Sequence, residues 1–236
     1  MTVPADSPPR GKSFDDVASY EREIRQLIPG YALVRQILLS TLSTAAPSVH
    51  RIIVVGCGPG DELVAIADAA PNAEIIAVDP EPVMADRAQS AAAAAGLGQR
   101  VRVCCSTLAE LGEDGTADVV FSSLVGHLIP DEGPRASFYA DIGRALTRDG
   151  LGLLAELRHG GQAHGVVADV HAAWSQARGL PQARVEALRQ RLDGGFELLT
   201  DERTEALLER AGLQTVAELV RCLTVVAVAV AVRAPP

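Results

Sequence analysis

The chain has 236 residues, enough for one α/β domain with a small appended lid, and 48% of them are hydrophobic. Its formal net charge of −9 repels phosphate backbones, and an aromatic content of 3% leaves little for base stacking, so direct nucleic-acid binding is not expected. The longest apolar run, LTVVAVAVAV at 223–232, is ten residues, too short to cross a membrane, and the polar, proline-rich start MTVPADSPPRGKS has no signal-peptide core; the expectation is a cytoplasmic protein.

Residues 1–13 read as disordered, with 14–236 as a single domain. N-terminal helices are predicted across 14–44, interrupted by Pro29-Gly30, with Ile24, Leu27 and Ile28 at helical spacing. Short aliphatic runs at 51–55, 74–79, 101–105, 117–123 and 151–157 have the character of buried parallel strands. Helical stretches at 61–69, 82–95 and 133–146 lie between them, the last with Phe138, Ile142 and Leu146 on one face. Alternating β and α units predict a doubly wound, Rossmann-like α/β sheet. A glycine- and histidine-rich hinge at 158–165 then leads into a helical lid over 158–197, with helices at 166–178 and 181–192. Thr200 or Asp201 can cap the next helix, whose face is Leu207, Leu208 and Ala211 and whose stop is Gly212. The runs 215–221 and 223–232 are nearly contiguous and pair as a C-terminal antiparallel hairpin, which completes a seven-stranded sheet.

The first predicted strand ends in GCGPGDE. Gly56, Gly58 and Gly60 let the backbone approach a ligand and leave amides facing it. A dinucleotide fingerprint would want glycine at 61; Asp61 stands there and puts negative charge where a pyrophosphate would sit. At the end of the second strand, 23 residues after Gly56, Asp79 is placed to accept both hydroxyls of a ribose. An adenosyl ligand without phosphates fits both features, and the cationic sulfonium of S-adenosyl-L-methionine (SAM) suits a loop flanked by acids. Cys57, Cys104, Cys105 and Cys222 have no metal-ligand spacing; they read as structural, and no metal is expected.

With these motifs in place, the sequence resembles the class I SAM-dependent methyltransferases, through ADVVFSSLVGHLIPDEG and IGRALTRDGLGLLAE. Its layout from about residue 14 to 232 is most similar to the carboxy-SAM synthase family of wobble-uridine modification, through FDDVASYEREIRQLIPGY, HAAWSQARG, LLTD and AGL in the same order. The resemblance implies that Tyr31, Gly56, Cys57 and Gly58 line the methionine end of the cofactor. It further implies that Asp79 with Pro80 meets the ribose, that Ser106, Thr107 and Ser122 sit at cofactor-contact positions, and that Arg189, or Arg191 after a short insertion, is a lid arginine. A homodimer with exchanged lids is implied too, and exposed apolar positions Val166, Val167, Val170, Ala173 and Trp174 agree with it. GCGPG has the ordinary methyltransferase form, and Ser106 and Ser122 depart from the synthase pattern, so methyl transfer to a small-molecule acceptor is the first reading. A carboxy-SAM synthase-like reaction with prephenate is the second, and a non-catalytic SAM-binding protein the third.

His127, just past the fourth strand, is the best-placed general base if the acceptor must lose a proton, although a packing role beneath the cofactor competes with it. His159 and His164 flank the hinge and read as loop residues. His171 and Trp174 share a face of a lid helix and could roof an acceptor pocket or pack against the sheet; His50 lies at the far end of the sheet.

Overall fold

The computed structural model describes residues 17–233. The disorder expected of residues 1–13 and the first residues of the expected N-terminal helix lie outside that range. In chain order the elements are α1 (Val17–Leu27), α2 (Tyr31–Ala45), β1 (Arg51–Val55), α3 (Leu63–Ala69), β2 (Glu74–Val78), α4 (Pro82–Ala94), β3 (Val101–Cys104) and α5 (Leu108–Leu111). They continue with β4 (Ala117–Ser123), α6 (Ala136–Ala145), β5 (Leu146–Leu157), α7 (His164–Ala177), α8 (Gln182–Gln190), α9 (Asp201–Arg210), β6 (Leu213–Cys222) and β7 (Val225–Val232).

The seven strands form one sheet in the order β3-β2-β1-β4-β5-β7-β6. β1 to β5 run parallel, and β7 pairs antiparallel with both β5 and β6. Strand periodicity divides the core in two. Ile52 and Val54 of β1, with Ile75 and Ala77 of β2, face the side covered by α2, α3, α4, α7 and α8. Ile53, Val55, Ile76 and Val78 face the side covered by α6 and α9. Burial on both faces is why these strands are uninterrupted aliphatic runs.

Several boundaries differ from the expected ones for local reasons. β5 starts at Leu146 rather than 151: Leu146 pairs with Ala117, and a register shift then brings Leu151 opposite Val119. The helix expected over 133–146 begins at Ala136, because Gly133 (φ 84) and Pro134 break the chain before it, and its buried face is Tyr139, Ile142 and Ala145. α5 was not expected. Its signal is present in TLAE, where Thr107 and Glu110 form a reciprocal capping box. Thr200 is the cap of α9, its side chain accepting from the Arg203 amide.

Candidate functional site

The carboxyl ends of β1, β2 and β4 open into a cleft of about 1020 Å³ to which α1 and α8 also contribute. Its base is the loop after β1. The amides of Gly56 and Cys57 both donate to the carbonyl of Val78, at 2.8 and 3.1 Å, so the loop is tied to the end of β2. At Gly56 (φ +70) a Cβ would stand 2.3 Å from Val125 Cγ2, which no side chain permits. Gly60 (φ +91) is needed on the other side, where a Cβ would meet Ala88 Cα of α4 at 2.8 Å. Nothing lies within 4 Å of the Cβ position at Gly58, which lines the cleft.

Asp79 follows β2 and is 8% exposed. Its Oδ2 accepts the Gly58 amide at 2.9 Å and its Oδ1 the Glu81 amide at 3.0 Å. Each carboxylate oxygen therefore keeps a further acceptor site, enough for two ribose hydroxyls. Beside it are Pro80, Met84 and Thr107. The Thr107 hydroxyl is engaged by Glu110, as acceptor from its amide and donor to its carboxylate. Across the glycine loop lie Ser123, Leu124 and Val125, Glu62 at the entrance to α3, and Tyr31 at the start of α2.

His127 lines the cleft but is poorly suited to take a proton. Its Nδ1 accepts the Leu157 amide at 3.4 Å, so the ring proton resides on Nε2, and Phe196 meets the ring edge-on at 5.1 Å. Burial, with Arg135 and Arg191 adding to it, holds the imidazole down to about 3. Because the folded value lies below the ordinary 6.5, this residue contributes stability that is complete above pH 6.5 and lost as pH falls towards 3. The His127 ring resonances are expected not to titrate between pH 5 and 8 in an NMR pH series; a midpoint near 6.5 would restore it as a base.

The structure gathers Tyr31, Gly56, Cys57, Gly58, Asp79, Pro80, Thr107 and His127 around one cleft. Six other expected residues are placed elsewhere. Ser122 is buried under the loop, donating to the Val55 carbonyl at 3.3 Å. Gly60 packs on α4, and Ser106 is outside the lining. His171 is fully buried, its Nε2 donating to the Leu27 carbonyl at 2.7 Å and its Nδ1 accepting from Thr224 at 2.8 Å, so it fastens α7 to α1 and the β6–β7 turn. Trp174 lies outside the lining, with Arg178 over its ring at 5.8 Å. Arg189 is engaged by Asp169 at 2.6 Å and by Asp193, away from the cleft. Arg191 lines the cleft instead: its backbone continues the helical course of α8, which puts it on the face of Arg184, Ala187 and Leu188, with its guanidinium 3.9 Å from the Phe196 ring centre. Arg184 lines the cleft too and forms an ion pair with Glu23 of α1.

Glu62 went unnoticed in the sequence. Its Oε1 is shielded from solvent and has no hydrogen-bond partner among the described residues. Burial pushes the carboxyl up to about 7; Arg35 opposes the rise, Asp61 adds to it, and the Ser123 hydroxyl pulls it back. The available signal was its position directly after the loop, beside an acid already singled out.

The sheet order, the glycine loop and the acid after β2 together define the fold of the SAM-dependent methyltransferases. Residues 52–150 match a protein-family model described as a methyltransferase domain, and S-adenosyl-L-methionine is the cofactor of that domain. The chain is 24% identical over 215 residues to a carboxy-S-adenosyl-L-methionine synthase of Pseudoalteromonas atlantica, covering 89% of this chain and 88% of that protein. Among solved structures it is similar to a mitomycin 7-O-methyltransferase (TM-score 0.60, 21% identity, 83% of this chain and 54% of that one). It is similar as well to an N,N-8-amino-8-demethyl-D-riboflavin dimethyltransferase from Streptomyces davawensis (TM-score 0.60, 18% identity, 83% of this chain and 54% of that one). The chain thus spans about half the length of these two structures, and at such identities the likeness is one of fold. The residues present fit the cofactor: open space at Gly58 and two free acceptor positions on a buried carboxylate are what an adenosyl group needs.

Proposed function

We propose that the protein transfers a methyl group from SAM to a small-molecule acceptor. The observation that carries this reading is the continuity of one cleft: Gly58 and Asp79 share it with an apolar chamber that includes Ile24, Leu27, Leu128, Leu188 and Phe196. When bound, the sulfonium supplies an already activated methyl group, so the protein's task is alignment and exclusion of water. Asp79 would hold the ribose, and the open space at Gly58 would let the adenosyl half lie close to a loop whose own amides are engaged by Val78 and Asp79; the apolar wall would hold the acceptor beside it. His127, neutral and committed through Nδ1, orients that wall rather than accepting a proton. Mass spectrometry of the adenosyl compound that co-purifies, followed by detection of S-adenosylhomocysteine with a panel of acceptors, tests the reading. Failure to bind SAM refutes it; binding without turnover across the panel favours a non-catalytic SAM-binding protein.

A second reading, a carboxy-SAM synthase-like reaction, is favoured by Arg191, a cation at the cleft that could face an extra carboxylate. Incubation with SAM and prephenate is expected to give no carboxylated cofactor. Its formation, and its loss in Arg191→Ala, would replace methyl transfer as the activity.

We further infer that 17–233 act as one domain, with segment 158–197 as a lid, and that the protein is a cytoplasmic homodimer. No described helix is long and apolar enough to cross a membrane. Support for the dimer comes from Val166 and Val170 on α7, which are 68% and 47% exposed. A monomer mass by light scattering at micromolar concentration would refute the dimer.

A further inference from the structure

The cleft contains a carboxylate with no place in the reading above. Glu62 lines it, one oxygen is shut off from solvent without a partner, and the Ser123 hydroxyl at the end of β4 is its neighbour. An ionisable oxygen left without a partner in so shielded a position is costly unless something charged arrives to use it.

The sheet order says which part of the cofactor that is. Asp79 and Pro80 after β2, and Thr107 after β3, lie on one side of the β1 loop; Ser123 to Val125 after β4 lie on the other. With the ribose on Asp79, the adenosyl half occupies the β2–β3 side. The remaining arm of SAM, an amino acid bearing an ammonium, must extend across the glycine loop towards β4. We propose that Glu62 receives the methionyl ammonium of SAM and so fixes the amino-acid end of the cofactor on the β4 side of the glycine loop. This rests on the SAM reading and deepens it.

The charged surroundings agree. Arg35 of α2 donates to the Asp61 carbonyl at 2.8 Å and stands near Glu62, while Asp61 adjoins it along the chain. Glu23 of α1, Asp79 after β2, and Arg184 and Arg191 at α8 also line the cleft. Without ligand the carboxyl holds a proton for a large part of the time near neutral pH, since burial has moved it to about 7. An ammonium favours the ionised form, so binding expels that proton to solvent. The sign is then fixed: affinity for SAM rises with pH up to about 7, and below that value it weakens by up to about tenfold per pH unit.

Titration calorimetry between pH 5.5 and 7.5, in buffers of different ionisation enthalpy, tests this on the intact protein. The ligands are SAM, S-adenosylhomocysteine and 5′-methylthioadenosine, which lacks the amino-acid arm. Wild-type protein is expected to release close to one proton per SAM bound at the acid end of the range. Glu62→Gln is expected to abolish that release and to weaken SAM and S-adenosylhomocysteine alike by roughly 10- to 100-fold, the scale for losing a charge-assisted hydrogen bond. Its affinity for 5′-methylthioadenosine should be unchanged, which also shows that the variant is folded. Unaltered SAM affinity in Glu62→Gln overturns the proposal, as does a loss confined to SAM, which would place Glu62 at the sulfonium. Equal loss of all three ligands points to a general structural defect and overturns it too. Wild-type protein that binds no SAM refutes the cofactor reading itself and this inference with it.

Discussion

Glu156→Ala is expected to destabilise the fold by roughly 3–5 kcal/mol, the scale for stripping one partner from a buried ion pair. Glu156 sits on β5 between two arginines, with side-chain exposures of 1% for Arg135, 6% for Glu156 and 4% for Arg158. Arg135 Nη1 approaches its Oε2 at 3.4 Å, Arg158 Nε donates to its Oε1 at 3.1 Å, and the Tyr139 hydroxyl donates to both oxygens at 3.1 and 2.9 Å. Burial, then the charge of Glu156, pushes the Tyr139 phenol upward, so it stays protonated and able to donate. Removing the carboxylate leaves Arg135, which is 0% exposed, without its counter-charge. At about 2–4 °C per kcal/mol for a chain of this length, the melting temperature should fall by roughly 6–20 °C in thermal denaturation. The cleft should suffer as well, because Arg135 also donates to the carbonyls of Ile129 and Glu197, next to cleft-lining His127, Leu128 and Phe196. A double substitution Arg135→Met, Glu156→Leu should recover part of the stability, since Arg135 is then no longer stranded and Arg158 keeps Asp201 as a partner, while Tyr139 still loses its acceptor. A melting temperature unchanged in Glu156→Ala would show that the network is better hydrated than its burial implies.

None of that network was legible in the sequence, and the reason separates what could be read from what could not. Strands buried on both faces announce themselves: RIIVV and VVAVAVAV have no alternative but a covered sheet, and the sheet places the loop after β1 and the acid after β2 where ligands bind. Those are consequences of local pattern. The covering of a helix face is not. Helical spacing put His171 and Trp174 together on α7, but only the fold reveals that Leu27, 144 residues away in sequence, brings the carbonyl that takes up His171. Arg189 and Arg191 are two residues apart on backbone that stays helical through Arg191, so they stand about 200° apart around the axis, and only the fold shows that the cleft lies on Arg191's side with Arg184 and Leu188. Glu156 looks like an ordinary strand residue until Arg135, Tyr139 and Arg158 converge on it.

Asp79→Ala is expected to weaken SAM binding by roughly 2–4 kcal/mol, about 30- to 700-fold. Two losses combine in that figure. One is direct: the cleft-facing acceptor positions of a buried carboxylate, placed for the ribose hydroxyls, disappear. The other is organisational. Asp79 joins the Gly58 amide to the Glu81 amide, so the glycine loop and the start of α4 are held in register by one side chain. Asp79→Asn separates the two contributions. An amide keeps one acceptor oxygen but turns a donor towards one of the two backbone amides, so that the loop is strained while the volume is kept. Its loss of affinity should approach that of Asp79→Ala if loop organisation dominates, and stay well below it if the ribose contact dominates. The ligand pattern then distinguishes this site from Glu62. Every adenosyl ligand carries the ribose, so Asp79→Ala should weaken SAM, S-adenosylhomocysteine and 5′-methylthioadenosine by similar factors, where Glu62→Gln spares the last. Calorimetry on folded Asp79→Ala showing unchanged affinity for all three would remove the ribose contact, and with it the physical basis for seating SAM across this loop.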